Sequence, residues 1–283
     1  MLLSEPHLFH AHSTPACVVN PVAHFELKTM PRLLLILTVL MVFPVVPLVA
    51  EDSKTSDSTI ERETRSVNGW TVHINKELLK SEPKATKIAF GLLKKQLAEI
   101  VRVVPEPAVA ELRKVPLYFS PEYPDKNGGA EFHPGAEWLK DNGRDPVMVK
   151  GVEFSNILNF EQETRRMPNF ALHELAHAYH NIVLKEGFGN PQLIATFERA
   201  KESGRYDKVE RWHGTADQNT FERAYAITNP MEYFAETTEA YFSRNDFFPF
   251  NNGELKTHDP EMYDLLTELW GVKTAGKTAG ARH

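Results

Sequence analysis

The sequence predicts an α+β fold, because its strand-like segments come first and its helical ones follow. Short alternating apolar runs mark the early part of the region after residue 66. Spacing of about 3.6 residues dominates the later part. One stretch stands out within the helical pattern, Ala171-Leu172-His173-Glu174-Leu175-Ala176-His177-Ala178-Tyr179-His180, which holds His-Glu-x-x-His.

Trp70 to Ile74 alternates apolar and polar residues like a first strand. Pro83 to Val104 has helical spacing, with Ile88, Leu92, Leu93, Leu97, Ile100 and Val101 toward one face. Val115 to Phe119 reads as a strand whose proline, Pro116, stands near its start, where it is tolerated. Asn127-Gly128-Gly129 marks a turn. Pro146 to Phe154 reads as another strand, shortly before the histidine helix. Exposed there, it is either an acceptor for an extended peptide by strand addition or a plain edge strand.

Asn169 caps the histidine helix just after Pro168, and Phe170, Leu175, Ala178, Tyr179 and Ile182 give it an apolar stripe. A turn follows around Gly187 to Pro191, then a helix from Gln192 to about Ser203. Phe221 to Phe242 reads as mainly helical, and a last helix runs from Pro260 to Trp270. No repeat of solenoid length is present.

Hydrophobic residues make up 42% of the 283 and charged ones 25%, which fits a globular chain with a sizeable core. The net charge is -6, and no basic run stands out, which argues against nucleic acid as a partner. Cys17 is the only cysteine, so the chain can form no internal disulfide and no cysteine-rich zinc site.

From Met30 the sequence runs Met-Pro-Arg, an uncharged apolar stretch from Leu33 to Ala50, then Glu51-Asp52-Ser53. That pattern reads as a secretory signal peptide over 30–50, with Pro44 and Pro47 disfavouring a spanning helix. Contact with a membrane is expected only if 33–50 is retained as an anchor. Residues 1–29 read as an upstream extension, 51–66 as a flexible leader, 67–271 as the folded domain, and 272–283 as a disordered tail.

Residues four apart lie one above the other on a helix, so His173 and His177 can converge on one metal ion. Glu174 is then placed to act on a water at the metal rather than on the metal itself. Two histidines leave a catalytic zinc site short of one protein ligand. A third histidine three turns along, of the metzincin kind, is excluded by His180 and Val183, which stand where Gly and His would be needed. His180, seven residues after His173, reads as lying beside the site or near the helix end rather than on the ion. A later helix opening near Asn229-Pro230 carries two glutamates four apart, Glu232 and Glu236. By themselves these are either functional carboxylates or an ordinary charged helix face, and Glu239 continues that face as a solvated or ion-paired residue.

Together these segments resemble the gluzincin branch of zinc metallopeptidases that includes the lethal-factor catalytic domain and the Pro-Pro endopeptidases. Tyr225 precedes Glu232 by seven residues, and Glu232-Tyr233-Phe234-Ala235-Glu236 matches that branch's Glu-aromatic-Phe-Ala-Glu stretch. The likeness covers roughly residues 145–245, and Pro230-Met231 departs from it without removing a functional group. It implies a zincin-like domain, a small mixed sheet with an active-site helix and a helical C-terminal half. It implies one zinc ion held by His173, His177 and Glu232, with Glu236 as the carboxylate that orients a ligand histidine. Glu174 is implied as general base on a zinc-activated water, and Tyr225 as a phenol donor to the transition state. The expected activity is that of a secreted peptidase acting on peptides or proteins, an endopeptidase rather than an exopeptidase. The alternative is a non-catalytic zinc-binding module of the same fold.

Overall fold

The computed structural model describes residues 60–124 and 128–273, all within the unit Ser56–His283. The expectations for residues 1–29, 30–50 and 51–59, for Asn127, and for the tail beyond 273 lie outside the described residues. In chain order the elements are β1 (Arg62–Val67), β2 (Trp70–Asn75), α1 (Lys76–Ser81), α2 (Pro83–Val103), α3 (Glu106–Leu112) and β3 (Leu117–Phe119). Next come β4 (Ala130–Phe132), α4 (Ala136–Asp141), β5 (Val152–Phe154), α5 (Phe160–Arg166) and α6 (Phe170–Ile182). The last are α7 (Pro191–Glu202), β6 (Val209–Arg211), β7 (Thr220–Glu222), α8 (Pro230–Phe242), α9 (Asn252–His258) and α10 (Pro260–Leu269). The α+β expectation holds at this level: a small mixed sheet precedes a mainly helical half.

Five strands form the main sheet in the order β1-β2-β3-β5-β4. The β2-β3 and β3-β5 pairs are parallel, while β1 and β4 run antiparallel at the two edges. Register sets rows of side chains across the sheet. Val72, Leu117, Val152 and Phe132 form one row, and Ile74, Phe119, Phe154 and Ala130 another. Both rows face the core beneath α2 and α6, where Phe119, Phe154, Phe160 and Phe170 meet ring to ring. Between them runs His73, Tyr118, Glu153 and Glu131, on the opposite face because side chains alternate along a strand. There Tyr118, Leu139 of α4 and Met148 make a second small apolar cluster.

Four expectations are corrected. Arg62–Ser66 is not flexible leader but most of β1, hairpinned to β2 through Asn68 and Gly69, whose φ angles are 50° and 94°. Its charges suit an edge strand, so hydrophobic alternation could not reveal it, although the Asn-Gly turn signal stood in the sequence. On α2 the buried stripe runs through Ala89, Leu93, Leu97 and Ile100, whereas Ile88 and Val101 are exposed.

Pro146–Phe154 is not one strand. Pro146–Met148 is a 3-10 turn capped by Asp145, Lys150 turns left-handed at φ 61°, and only Val152–Phe154 is extended. Those three residues are fully buried and paired on both sides, so β5 offers no free edge to a peptide. On that side of the sheet the edge strand is β4, too short for an alternation signal. Phe221–Phe242 is helical only from Pro230; before it come β7 and a 3-10 turn, Tyr225–Ile227.

Candidate metal centre

Two helices build the site, and both begin at side-chain caps. Asn169 Oδ1 accepts the Leu172 N–H at 3.1 Å, and Gln96 Oε1, reaching over from α2, accepts the Ala171 N–H at 3.1 Å. Asn169 Nδ2 donates back to the Gln96 carbonyl at 3.2 Å. These bonds satisfy amides at the α6 N-terminus that have no partner within the helix, and they fix the helix to α2. At α8, Asn229 Oδ1 accepts from the N–H groups of Met231 and Glu232, both at 2.9 Å. Pro230 fits the first helical position because it needs no amide partner there. Glu232 is therefore set in the first turn of α8, pointing its carboxylate at α6.

Three ligand-type atoms converge. His173 Nε2 and His177 Nε2 lie 3.1 Å apart, and Glu232 Oε2 lies 3.2 Å from the first and 3.3 Å from the second. The sequence-predicted trio thus meets at one point. Among the described residues two clusters could hold a cation, this one and a fully buried group of His173, Glu236 and Glu239. The second would have to use His173 Nδ1, which is already hydrogen-bonded.

That bond corrects one assignment. His173 Nδ1 is 2.8 Å from Glu239 Oε1 but 3.8 Å from Glu236 Oε1. The carboxylate that fixes the histidine ring is Glu239, and Glu239 is completely buried rather than solvated. Helix geometry gives the reason: at 100° per residue, position 239 returns to within about 20° of Glu232's direction, while position 236 is about 40° off on the other side. Among the described residues, Glu236 Oε2 and Glu239 Oε2 have no hydrogen-bond partner. Burial, then the nearby Asp246, pushes the Glu236 carboxyl well above its usual range, and burial brings Glu239 to about 7.

Charge at the centre is strongly organised. Burial alone would depress His173, yet Glu232 and Glu239 against its two nitrogens raise it well above the ordinary histidine value. Burial lowers His177. Despite burial, His177 and His173 hold Glu232 well below the usual carboxylate range. The spot therefore favours a positive charge between an anionic carboxylate and two imidazoles.

Glu174 lies beside this point with only 9% of its surface exposed. Its Oε2 accepts the Phe132 N–H of β4 at 2.9 Å. Burial, helped by Glu232 and Glu131, raises its carboxyl to about 8 against the pull of His173 and Phe132. Tyr225 stands in its 3-10 turn with 43% of its surface exposed. Shelter of its phenol and the charge of Glu232 raise it to about 12, so it stays a proton donor across the physiological range. His180 does not join the cluster. It is fully buried against Phe188 and Phe234, and burial drives it down to about 4.

Two imidazoles and a carboxylate are a donor set that could hold a divalent metal, and a family comparison points the same way. Residues 144–270 match the model of the glucose-regulated metallo-peptidase M90 family. The match spans every candidate ligand together with Glu174, Tyr225 and Glu239, and it supports a metallopeptidase. No curated protein and no solved structure matches the chain. Sequence reasoning missed Gln96, Phe132 and Glu239. Only Glu239 had a readable signal, its seven-residue spacing from Glu232.

Proposed function

We propose that this chain is an exported zinc-dependent endopeptidase. The observation that carries the metal is the ligand spacing. Bonds of about 2.0–2.2 Å to a tetrahedral zinc put neighbouring ligand atoms about 3.3–3.6 Å apart, and the three separations here, 3.1, 3.2 and 3.3 Å, lie at or just inside the short end of that range. His173, His177 and Glu232 would hold the ion, with Glu239 on His173 Nδ1 keeping Nε2 toward it. Bound there, zinc supplies the Lewis acidity that makes water acidic near neutral pH and polarises a scissile carbonyl.

The chain's own residues do the rest. Glu174 takes the proton of the attacking water and returns it to the leaving amine. Tyr225 donates its hydroxyl hydrogen to the oxygen on which charge develops, an interaction strongest in the transition state. The general base and the phenol beside the ligand trio favour a working enzyme over a zinc-binding module.

Endopeptidase action draws support from β4. Gly129 O accepts from Ser155 N, and His133 N donates to Gly151 O, so alternate residues 129, 131 and 133 face β5. The main-chain groups of Ala130 and the Phe132 carbonyl then face the open edge. They would pair with an extended substrate backbone irrespective of its termini. Export is inferred from the Met30–Ala50 pattern alone, and N-terminal sequencing of the exported chain tests it: a mature start upstream of Met30 would refute the signal.

The deciding experiment is elemental analysis of the purified protein for zinc, with mass-spectrometric cleavage of an unbiased peptide library by the wild type and by Glu174→Gln. One zinc in each, with cuts made by the wild type and reduced by about 10²–10⁴ in the variant, is expected. Zinc without cuts from either would leave the binding-module reading, and no zinc in either would sink both.

A further inference from the structure

On the face of the sheet away from the metal centre lies a buried ionic cluster that the proposed chemistry does not use. Its centre is Glu153 of β5, 1% exposed. Tyr123 donates its hydroxyl hydrogen to Glu153 Oε1 at 2.6 Å. His133 Nε2 and Arg144 Nη1 each lie 3.0 Å from Glu153 Oε2. Arg144 also pairs with Glu131, and its guanidinium rests 4.6 Å from the Tyr123 ring and 4.9 Å from the Trp138 ring. Trp138 stacks on His133 at 5.8 Å.

Buried ion pairs cost much of their attraction in desolvation, so an apolar set of the same volume would stabilise a plain edge strand as well. What distinguishes this cluster is which residues it fastens. Glu131 and His133 are the two neighbours of Phe132, and both are tied to the same face through Arg144 and Glu153. Alternation then turns the Phe132 side chain to the core, where it meets Phe188 edge-on, and its N–H to the open edge. That N–H is the one bonded to Glu174.

We propose that Arg144 and Glu153 are positioning residues: by clamping Glu131 and His133 they hold β4 so that the Phe132 N–H fixes the Glu174 carboxylate. This rests on Glu174 being the general base. The clamp works through the backbone, from one sheet face to the other. It also commits one Glu174 oxygen, Oε2, to the Phe132 amide, so that proton transfer would fall to Oε1.

The test reads the Phe132 amide directly, by hydrogen exchange resolved at single residues in the full-length protein. Exchange at Phe132 should rise about tenfold in Arg144→Met, with α6 protection unchanged, and return most of the way in Arg144→Lys. Removing the acceptor in Glu174→Ala should give a similar rise, and combining it with Arg144→Met should add almost nothing, since both break one link. Turnover of the best library substrate should fall at least about tenfold in Arg144→Met, yet less than about twofold further when the change is made on Glu174→Gln. Wild-type protection of Phe132 in Arg144→Met, or equal turnover losses in both backgrounds, would overturn the proposal. Should Arg144→Met fail to fold, Glu153→Gln, which keeps the shape and removes the charge, carries the same readings. If the wild type cleaves nothing while the amide responds as described, the peptidase reading fails and the clamp stands.

Discussion

His173 is engaged at both ring nitrogens, Nε2 toward Glu232 and Nδ1 toward Glu239, at 3.2 and 2.8 Å. A ring held from both sides has its orientation fixed before any ion arrives. Removing the partner on Nδ1 therefore acts on metal affinity without touching a ligand, and such losses run about 10–100-fold. Glu239→Ala is expected to weaken zinc binding in that range by competition with a chelating dye, while Glu236→Ala, 3.8 Å away, should weaken it severalfold less. Equal losses, or a larger one at Glu236, would return the orienting role to Glu236. The sequence offered both glutamates on one helix face, but the choice between them depended on how α8 lies against α6.

At the scale of elements, the centre is two helix N-terminal regions brought side by side. The caps are local: Asn169 and Asn229 each sit just before an apolar helical pattern, and both were readable as caps. Asn229 carries two amides, one of them Glu232's own. Asn229→Ala should cost about 1 kcal/mol of stability in urea unfolding. It should also loosen zinc binding a few-fold if Glu232 is the ligand proposed above, because that residue's backbone loses its anchor. A variant as stable as the wild type would show that the cap contributes nothing. The strands were less legible. β5 and β4 have three residues each, too few for alternation to tell a central strand from an edge, and their order reverses the chain's. The edge that faces the site is therefore β4, not the stretch before the histidine helix.

At the scale of the whole molecule, the two halves share one core, and α6 runs through it with ten of its residues buried. Trp270, just beyond α10, stacks on Tyr179 of α6 at 4.1 Å and on Phe234 of α8 at 5.8 Å, locking the far end of the helical half to both site helices. His180 sits in the same interior, where burial lowers it from 6.5 to about 4. Below pH 6.5 the unfolded chain takes up this proton and the native chain does not, so the unfolded state gains. Stability is fully present above pH 6.5 and falls as the pH drops toward 4, by about 3 kcal/mol from this residue at most. His180→Leu should flatten that part of the melting-temperature profile between pH 6.5 and 4. An unchanged slope would mean that the histidine is equally protonated in both states.

Residues close in sequence determined the chemistry. The spacing of His173, Glu174 and His177 needs only one helix turn to become a half-built metal site, and Tyr225 and Glu232 stand in one short segment with its own cap. Spacing along a helix is fixed by 3.6 residues per turn, so it can be read before any fold is known. What tertiary structure decided was everything that depends on one element meeting another. It chose Glu239 over Glu236 at His173, brought Gln96 from α2 to the first turn of α6, moved the open edge from β5 to β4, and set the Phe132 amide on Glu174. The three hydrogen bonds among them join residues 42 to 75 apart in sequence, and no local propensity encodes them, because packing and register alone select which of several similar side chains or strands arrives.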